Sequence, residues 1–142
     1  MTKTLSPIYL ERYQVKDLPA IPRRRGKRIV FGWYGGKFSH LDWLLPLLPN
    51  EHQYCEPFAG SAAVLITRDP AAVETYNDVD GDVVNFFQVL RDNSESLARA
   101  IALTPFSREE FHLAITGSTK GKSRLERARR FYVRARQASL GS

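Results

Sequence analysis

Cysteine is nearly missing from this sequence: Cys55 stands alone among 142 residues. One thiol cannot close an internal disulfide, so the fold must rest on a packed core, and a reducing compartment suits it. His40, His52 and His112 lie far apart and no C-x-x-C pair occurs, so metal-ligand spacing is absent. No apolar run approaches the ~18–20 residues of a membrane-spanning helix. The N-terminal stretch MTKTLSPIYLERYQ lacks the apolar core of a secretory signal. No G-x-S-x-G turn marks a nucleophilic serine. Gly36-Lys37 and Gly121-Lys122 fail as phosphate loops, because Phe31 and Thr116 stand where the first glycine is required, and Phe38 follows Lys37. The expectation is a soluble, cytoplasmic protein with no metal and no membrane partner.

What is present describes an ordinary folded chain, 43% hydrophobic and 25% charged. The charge is unevenly placed. Residues 1–28 carry eight Lys/Arg against two Asp/Glu, residues 29–104 four against ten, and residues 105–142 nine against three. Basic ends around an acidic middle fit termini that meet polyanions, although solvated basic surfaces would give the same pattern.

Residues 1–28 hold Pro7, Pro19 and Pro22 and then the run RRRGKR, which reads as a flexible basic arm compatible with a short helix at residues 8–16. From Arg28 the character changes. IVFGW is β-branched and aromatic and runs into Gly35-Gly36, as a short extended segment entering a loop does. FSHLDWLLPLL reads as helix up to Pro46. QYCEPF is a strand candidate, AGSAAVLIT a helix packed on a sheet, and VETYND a second strand. Residues 80–91 place Val83, Val84, Phe87 and Leu90 at helical spacing. Strand, helix, strand, helix with short connections predicts a parallel, right-handed βαβ unit.

The last third reads as helical. Ser107 with Glu110 and Ser123 with Glu126 match the capping box, in which hydroxyl and carboxylate reciprocally satisfy free N–H groups. In the final helix Leu125, Ala128, Phe131, Tyr132 and Ala135 share one face. Arg127, Arg130 and Arg134 flank one side of it, and Arg129 and Arg136 the other.

The first βα turn carries the chemistry. After QYCEPF comes Ala59-Gly60-Ser61-Ala62, where Gly60 permits a sharp turn and small side chains leave room at the helix N-terminus. Asp78 ends the next strand, 18 residues after Gly60. An acid about 20 residues beyond the turn accepts ribose hydroxyls in nucleotide-binding units of this kind. A tight turn with no ligand is the competing explanation for these residues alone.

Three motifs occur in order: Trp33-Tyr34-Gly35-Gly36-Lys37, then Glu56-Pro57-Phe58-Ala59-Gly60-Ser61, then Asn77-Asp78-Val79-Asp80. Together they resemble the Dam-type family of adenine-specific DNA methyltransferases, over roughly residues 29–137. DVVNFFQVLRD and TPFSREEF are similar to that family too. The resemblance implies a partial Rossmann-like α/β methyltransferase fold, a short parallel βαβ core followed by a helical segment, with S-adenosylmethionine as cofactor. It puts Trp33, Gly35 and Lys37 on cofactor-contacting positions, Phe58, Gly60 and Ser61 around the methionine end, and Asp78 on the ribose. Lys37 suits the cofactor carboxylate, and an aromatic ring suits the sulfonium or adenine.

That family also carries a D-P-P-Y motif, which accepts the hydrogens of a flipped adenine amine and stacks the base. No adjacent prolines occur here, and Asp69-Pro70 continues as Ala71-Ala72. No catalytic residue is therefore assigned. The expected organisation is a basic arm (1–28), an incomplete cofactor-binding α/β core (29–104) and a basic helical segment (105–142) that begins a target-recognition region. The expected function is methyl transfer to the adenine amine of double-stranded DNA, with Arg127, Arg130 and Arg134 at the DNA. These residues would supply the cofactor-binding half, and a second chain could complete the enzyme. A non-catalytic nucleic-acid-binding module on a decayed methyltransferase fold is the alternative.

Overall fold

The computed structural model describes residues 9–10 and 26–138, and these form a mixed α/β fold. The elements in chain order are β1 (Tyr9–Leu10), α1 (Leu41–Leu44), β2 (Gln53–Glu56), α2 (Ala63–Thr67), β3 (Val73–Tyr76), α3 (Gly81–Asp92), α4 (Ser94–Ala102), α5 (Arg108–Thr116) and α6 (Arg124–Ala138). They divide into two units. Among the described residues, the first holds 9–10, 26–30 and 35–78, and the second 31–34 and 79–138.

In the first unit β2 and β3 pair in parallel, Gln53 opposite Val73 through Glu56 opposite Tyr76, joined by a crossover through α2. This is the parallel βαβ unit that the alternation of elements implies. β1 adds to the outer edge of β3 in antiparallel sense, giving the order β1-β3-β2. Tyr9–Leu10 is thus strand where a short helix was compatible with the sequence, because pairing with Thr75 and Glu74 satisfies an otherwise bare sheet edge. The remainder of the expected arm up to Arg25 lies outside the described residues.

The core of this unit gathers Leu41, Ala63 and Val64, with Phe38, Leu44, Leu45, Leu48 and Tyr54 packed around them. The helix expected across residues 38–48 is broken into a 3₁₀ turn (Lys37–His40), α1, and a second 3₁₀ turn (Leu45–Leu47). Pro46 lacks an N–H and its ring opposes the carbonyl four residues back, so the tighter turn takes over. Arg68 and Glu74 form a buried pair at 3.7 Å, and the Arg68 guanidinium lies 4.0 Å from the Tyr54 ring centre. Burial and the neighbouring Glu56 push the Tyr54 hydroxyl up to about 12.

The second unit is organised around Phe31, which is fully buried. Its ring meets Phe86 at 5.3 Å and Phe131 at 5.0 Å, both edge-on, and Trp33 at 5.8 Å. Edge-to-face aromatic contacts of this kind add about 0.5–1.5 kcal/mol beyond area burial. The segment IVFGW therefore joins no sheet; it feeds Phe31 into a helical cluster.

The deepest face of α3 is Val83, Phe86 and Val89 rather than Val84, Phe87 and Leu90, which are half-buried. Both stripes are apolar and both Phe86 and Phe87 meet Phe31, but Phe86 also packs its ring on Phe131. Ser107 and Ser123 cap α5 and α6 as expected, accepting the Glu110 and Glu126 N–H groups at 3.1 Å. The carboxylates turn elsewhere. Arg129 takes Glu110 Oε2 and both Glu126 oxygens at 2.8 Å each, and Arg130 Nε donates to Glu126 Oε1 at 2.7 Å.

Candidate cofactor site

The site lies in the first unit, where β2 leads through residues 57–62 into α2. Gly60 (φ +52°) and Ala62 (φ +55°) both adopt left-handed backbone, which glycine does freely and alanine at a cost of roughly 1–2 kcal/mol. The Ala62 N–H closes the turn on the Ala59 carbonyl at 2.8 Å. Helix α2 accordingly starts only at Ala63, later than AGSAAVLIT suggests, because residues 59–62 are spent on the turn.

Each wall of this loop is tied by a named partner. The Gly60 N–H donates to Asp78 Oδ2 at 2.8 Å, and the Tyr76 hydroxyl donates to the Gly60 carbonyl at 2.8 Å. Asn77 Nδ2 donates to the Pro57 carbonyl, and Lys37 Nζ to the Phe58 carbonyl, both at 2.8 Å. The strand ladder itself continues past β2 and β3 through Asn77 N–H to Glu56 O and Ala59 N–H to Asn77 O. A ligand would meet a loop already fixed in shape, so little ordering entropy would oppose binding.

Glu56, the last residue of β2, is 5% exposed. Its Oε2 accepts the Leu65 N–H in the first turn of α2 at 3.1 Å, and its Oε1 lies 3.3 Å from Lys37 Nζ. Burial pushes the carboxyl above its ordinary range, against the pull of Lys37, the Leu65 N–H and Arg68. Three chain segments thus bring a cation, a buried carboxyl and a second carboxylate around this loop.

Of the residues singled out in the sequence, Lys37, Phe58, Gly60, Ser61 and Asp78 come together around this loop, with Ser61 buried and Phe58 71% exposed. Gly35 belongs to the same unit, at φ +66° with open space where a Cβ would stand. Trp33 belongs to the second unit, where its ring packs against Phe31 and Phe131. Glu56, Tyr76 and Asn77 were missed as individual site residues. A carboxylate between a strand and an apolar helix start is the signal that could have found Glu56.

Arg127, Arg130 and Arg134 all lie on α6 and are ion-paired within the second unit. Arg127 Nη2 contacts Asp82 Oδ1 at 2.8 Å and Arg134 Nη2 lies 3.7 Å from Asp82 Oδ2. Arg130 pairs with Glu126, and its side chain is 12% exposed. Among the described residues no group of three or more His, Cys, Asp or Glu is placed to hold a metal ion, and no helix is long and apolar enough to cross a membrane.

Residues 33–139 match the family of D12 class N6 adenine-specific DNA methyltransferases. The chain is 33% identical over 87 residues to the DNA N-6-adenine-methyltransferase of Escherichia phage P1, covering 61% of this chain and 11% of that relative. It is 29% identical over 72 residues to the DNA adenine methylase of Vibrio cholerae serotype O1, covering 49% of this chain and 25% of the relative. The chain thus spans a quarter or less of the length of the relatives it matches. The match runs across more than half of the sequence and takes in both the glycine-lysine segment and the βα turn, and the chain belongs to the D12 class N6 adenine-specific DNA methyltransferase family.

Proposed function

We propose that these residues form the S-adenosylmethionine-binding part of an enzyme that methylates the exocyclic amine of adenine in DNA. The observation that carries this reading is the tied loop: Lys37, Glu56 and Asp78 set three charges around a turn whose backbone is fixed by Tyr76 and Asn77. That donor set fits the cofactor's chemistry. Lys37 would hold the carboxylate of the amino-acid end, and the left-handed turn at Gly60 and Ala62 would let the backbone approach it closely. Asp78 would take the ribose hydroxyls, donors that a carboxylate accepts strongly. When bound, the cofactor supplies an electrophilic methyl group on a sulfonium.

The chain's own contribution is to bind and orient. Lys37 exchanges the Phe58 carbonyl and Glu56 for a ligand carboxylate, while Tyr76 keeps the Gly60 carbonyl fixed. The 142 residues contain no D-P-P-Y, so no group here is assigned to the adenine amine. Arg127, Arg130 and Arg134 would reach DNA phosphate only by exchanging Asp82 and Glu126 for it.

Calorimetric titration of S-adenosylmethionine into the whole chain should show one saturable site. A folded chain that takes up no cofactor would end the proposal. Labelled methyl transfer to adenine-containing duplex DNA should stay at background, and turnover would overturn the assignment of these residues to binding alone.

A further inference from the structure

In the second unit, the connection between α4 and α5 and the C-terminal part of α6 enclose an open cleft of about 200 Å³. Ile101, Tyr132 and Val133 give it apolar walls, and Gln137 and Arg136 lie at its edge. Phe106 also lines it and is 76% exposed, so a complete aromatic face is covered by water. A volume of this size is below the ~300–1,000 Å³ of sites that enclose whole drug-sized ligands. One flat ring system would enter while anything attached to it stayed outside.

The charges around the cleft sort into two sets. Arg127, Arg129, Arg130 and Arg134 are neutralised internally by Asp82, Glu110 and Glu126. Arg136 has no acidic partner among the described residues. The same holds for Arg99 and Arg108, which stand two residues before Ile101 and two after Phe106. All three are exposed. The basic surplus of residues 105–142 is therefore not spread over α6; part of it is left free beside an exposed aromatic ring.

A π face on an apolar wall, an amide at the edge and at the rim one cation with no acidic partner among the described residues are what single-stranded nucleic acid needs, since bases stack and phosphates seek positive charge. An apolar polypeptide would leave the Arg136 guanidinium without a counter-charge. We infer that this cleft receives an unpaired base of single-stranded DNA. The base stacks on Phe106 within reach of the Gln137 amide, and a flanking phosphate meets Arg136. The inference rests on the DNA half of the proposed function and is independent of the cofactor half, which sits in the other unit.

Fluorescence anisotropy of the whole chain with a short labelled oligodeoxyadenylate, and with an abasic strand of the same length, tests it. Phe106→Ala should weaken the oligodeoxyadenylate about tenfold, the worth of one stacked base, and leave the abasic strand unchanged. Phe106→Leu keeps apolar bulk without the π face and should weaken it as much. Arg136→Gln should weaken both strands and lower the salt slope by about one. Asp78→Asn should leave strand binding intact, so failure here and failure of cofactor binding are read separately. Equal affinity for the two strands, or no effect of Phe106→Ala, would overturn the inference. So would a Phe106→Ala variant that loses self-association in sedimentation while keeping its affinity for DNA, because the cleft would then receive a second copy of the chain.

Discussion

Arg129 is the charge hub of the second unit, and removing it gives a sharp test of how that unit is held. Its side chain is 14% exposed, donates to both Glu126 oxygens and to Glu110 at 2.8 Å, and reaches the Thr104 hydroxyl at 3.0 Å. Arg129→Met keeps the aliphatic stem and takes from the part-buried Glu110 and Glu126 carboxylates the guanidinium they share, leaving Arg130 on Glu126. Breaking a fully buried pair costs about 3–5 kcal/mol, and exposed pairs are worth about 0–1. The partners here are 25–30% exposed, so roughly 2–3 kcal/mol is expected.

The titration of Glu126 gives a second route to that number. Hydrogen bonds from Arg129, then from Arg130, pull its carboxyl from 4.5 down to about 2. Because the folded value is depressed, the stability this confers is complete above the ordinary carboxylate pKa and is lost as pH falls through about 2. The shift corresponds to about 3 kcal/mol as an upper figure, reduced by solvent screening. Urea unfolding followed by the fluorescence of Trp33, which packs in this unit against Phe131, is the assay. A loss below ~0.5 kcal/mol, within the range of an ordinary surface change, or an undiminished loss of stability in acid for the variant, would refute the reasoning.

Phe31→Ala should destabilise the second unit by about 3–5 kcal/mol in the same assay, since a fully buried ring leaves a cavity among Phe86, Phe131 and Trp33. Gly117→Ala should also destabilise it, by about 1–3 kcal/mol, because a Cβ there collides with the Leu113 carbonyl and the Arg130 guanidinium. Glu56→Gln should flatten the pH dependence of the first unit's stability. A carboxyl raised by burial favours the fold below its ordinary pKa, and that contribution is lost as pH rises through the folded value. Stability measured as pH rises above the ordinary carboxylate pKa should therefore decline for the parent and not for the variant.

Much of this was legible in the residues, and the failures have identifiable causes. The βαβ unit follows from local alternation and short connections, and the two helix caps from Ser107 and Ser123, because those signals are decided within a few residues. The place of Phe31 was not legible. A β-branched, aromatic run reads as extended, and only the distant helices α3 and α6 turn it into a core residue. The arginines of α6 show the same limit for charge. Spacing places Arg127, Arg130 and Arg134 along one flank, yet Asp82 and Glu126 decide how much of that charge is left for a partner. At the site, Gly60 and Asp78 stood out by their separation, while Tyr76 and Asn77 act through contacts that only the paired strands create.

The central claim is that Lys37 and Asp78 serve opposite ends of one cofactor, and calorimetry with S-adenosylmethionine and with adenosine tests it most directly. Asp78→Asn retains an oxygen for the Gly60 N–H and loses the charge that ribose hydroxyls prefer, so it should weaken both ligands about tenfold or more. Lys37→Met should weaken S-adenosylmethionine by a similar factor and leave adenosine unchanged, because adenosine carries no carboxylate. Parallel losses for both ligands in both variants, or unchanged affinity for S-adenosylmethionine in either variant, would contradict the account.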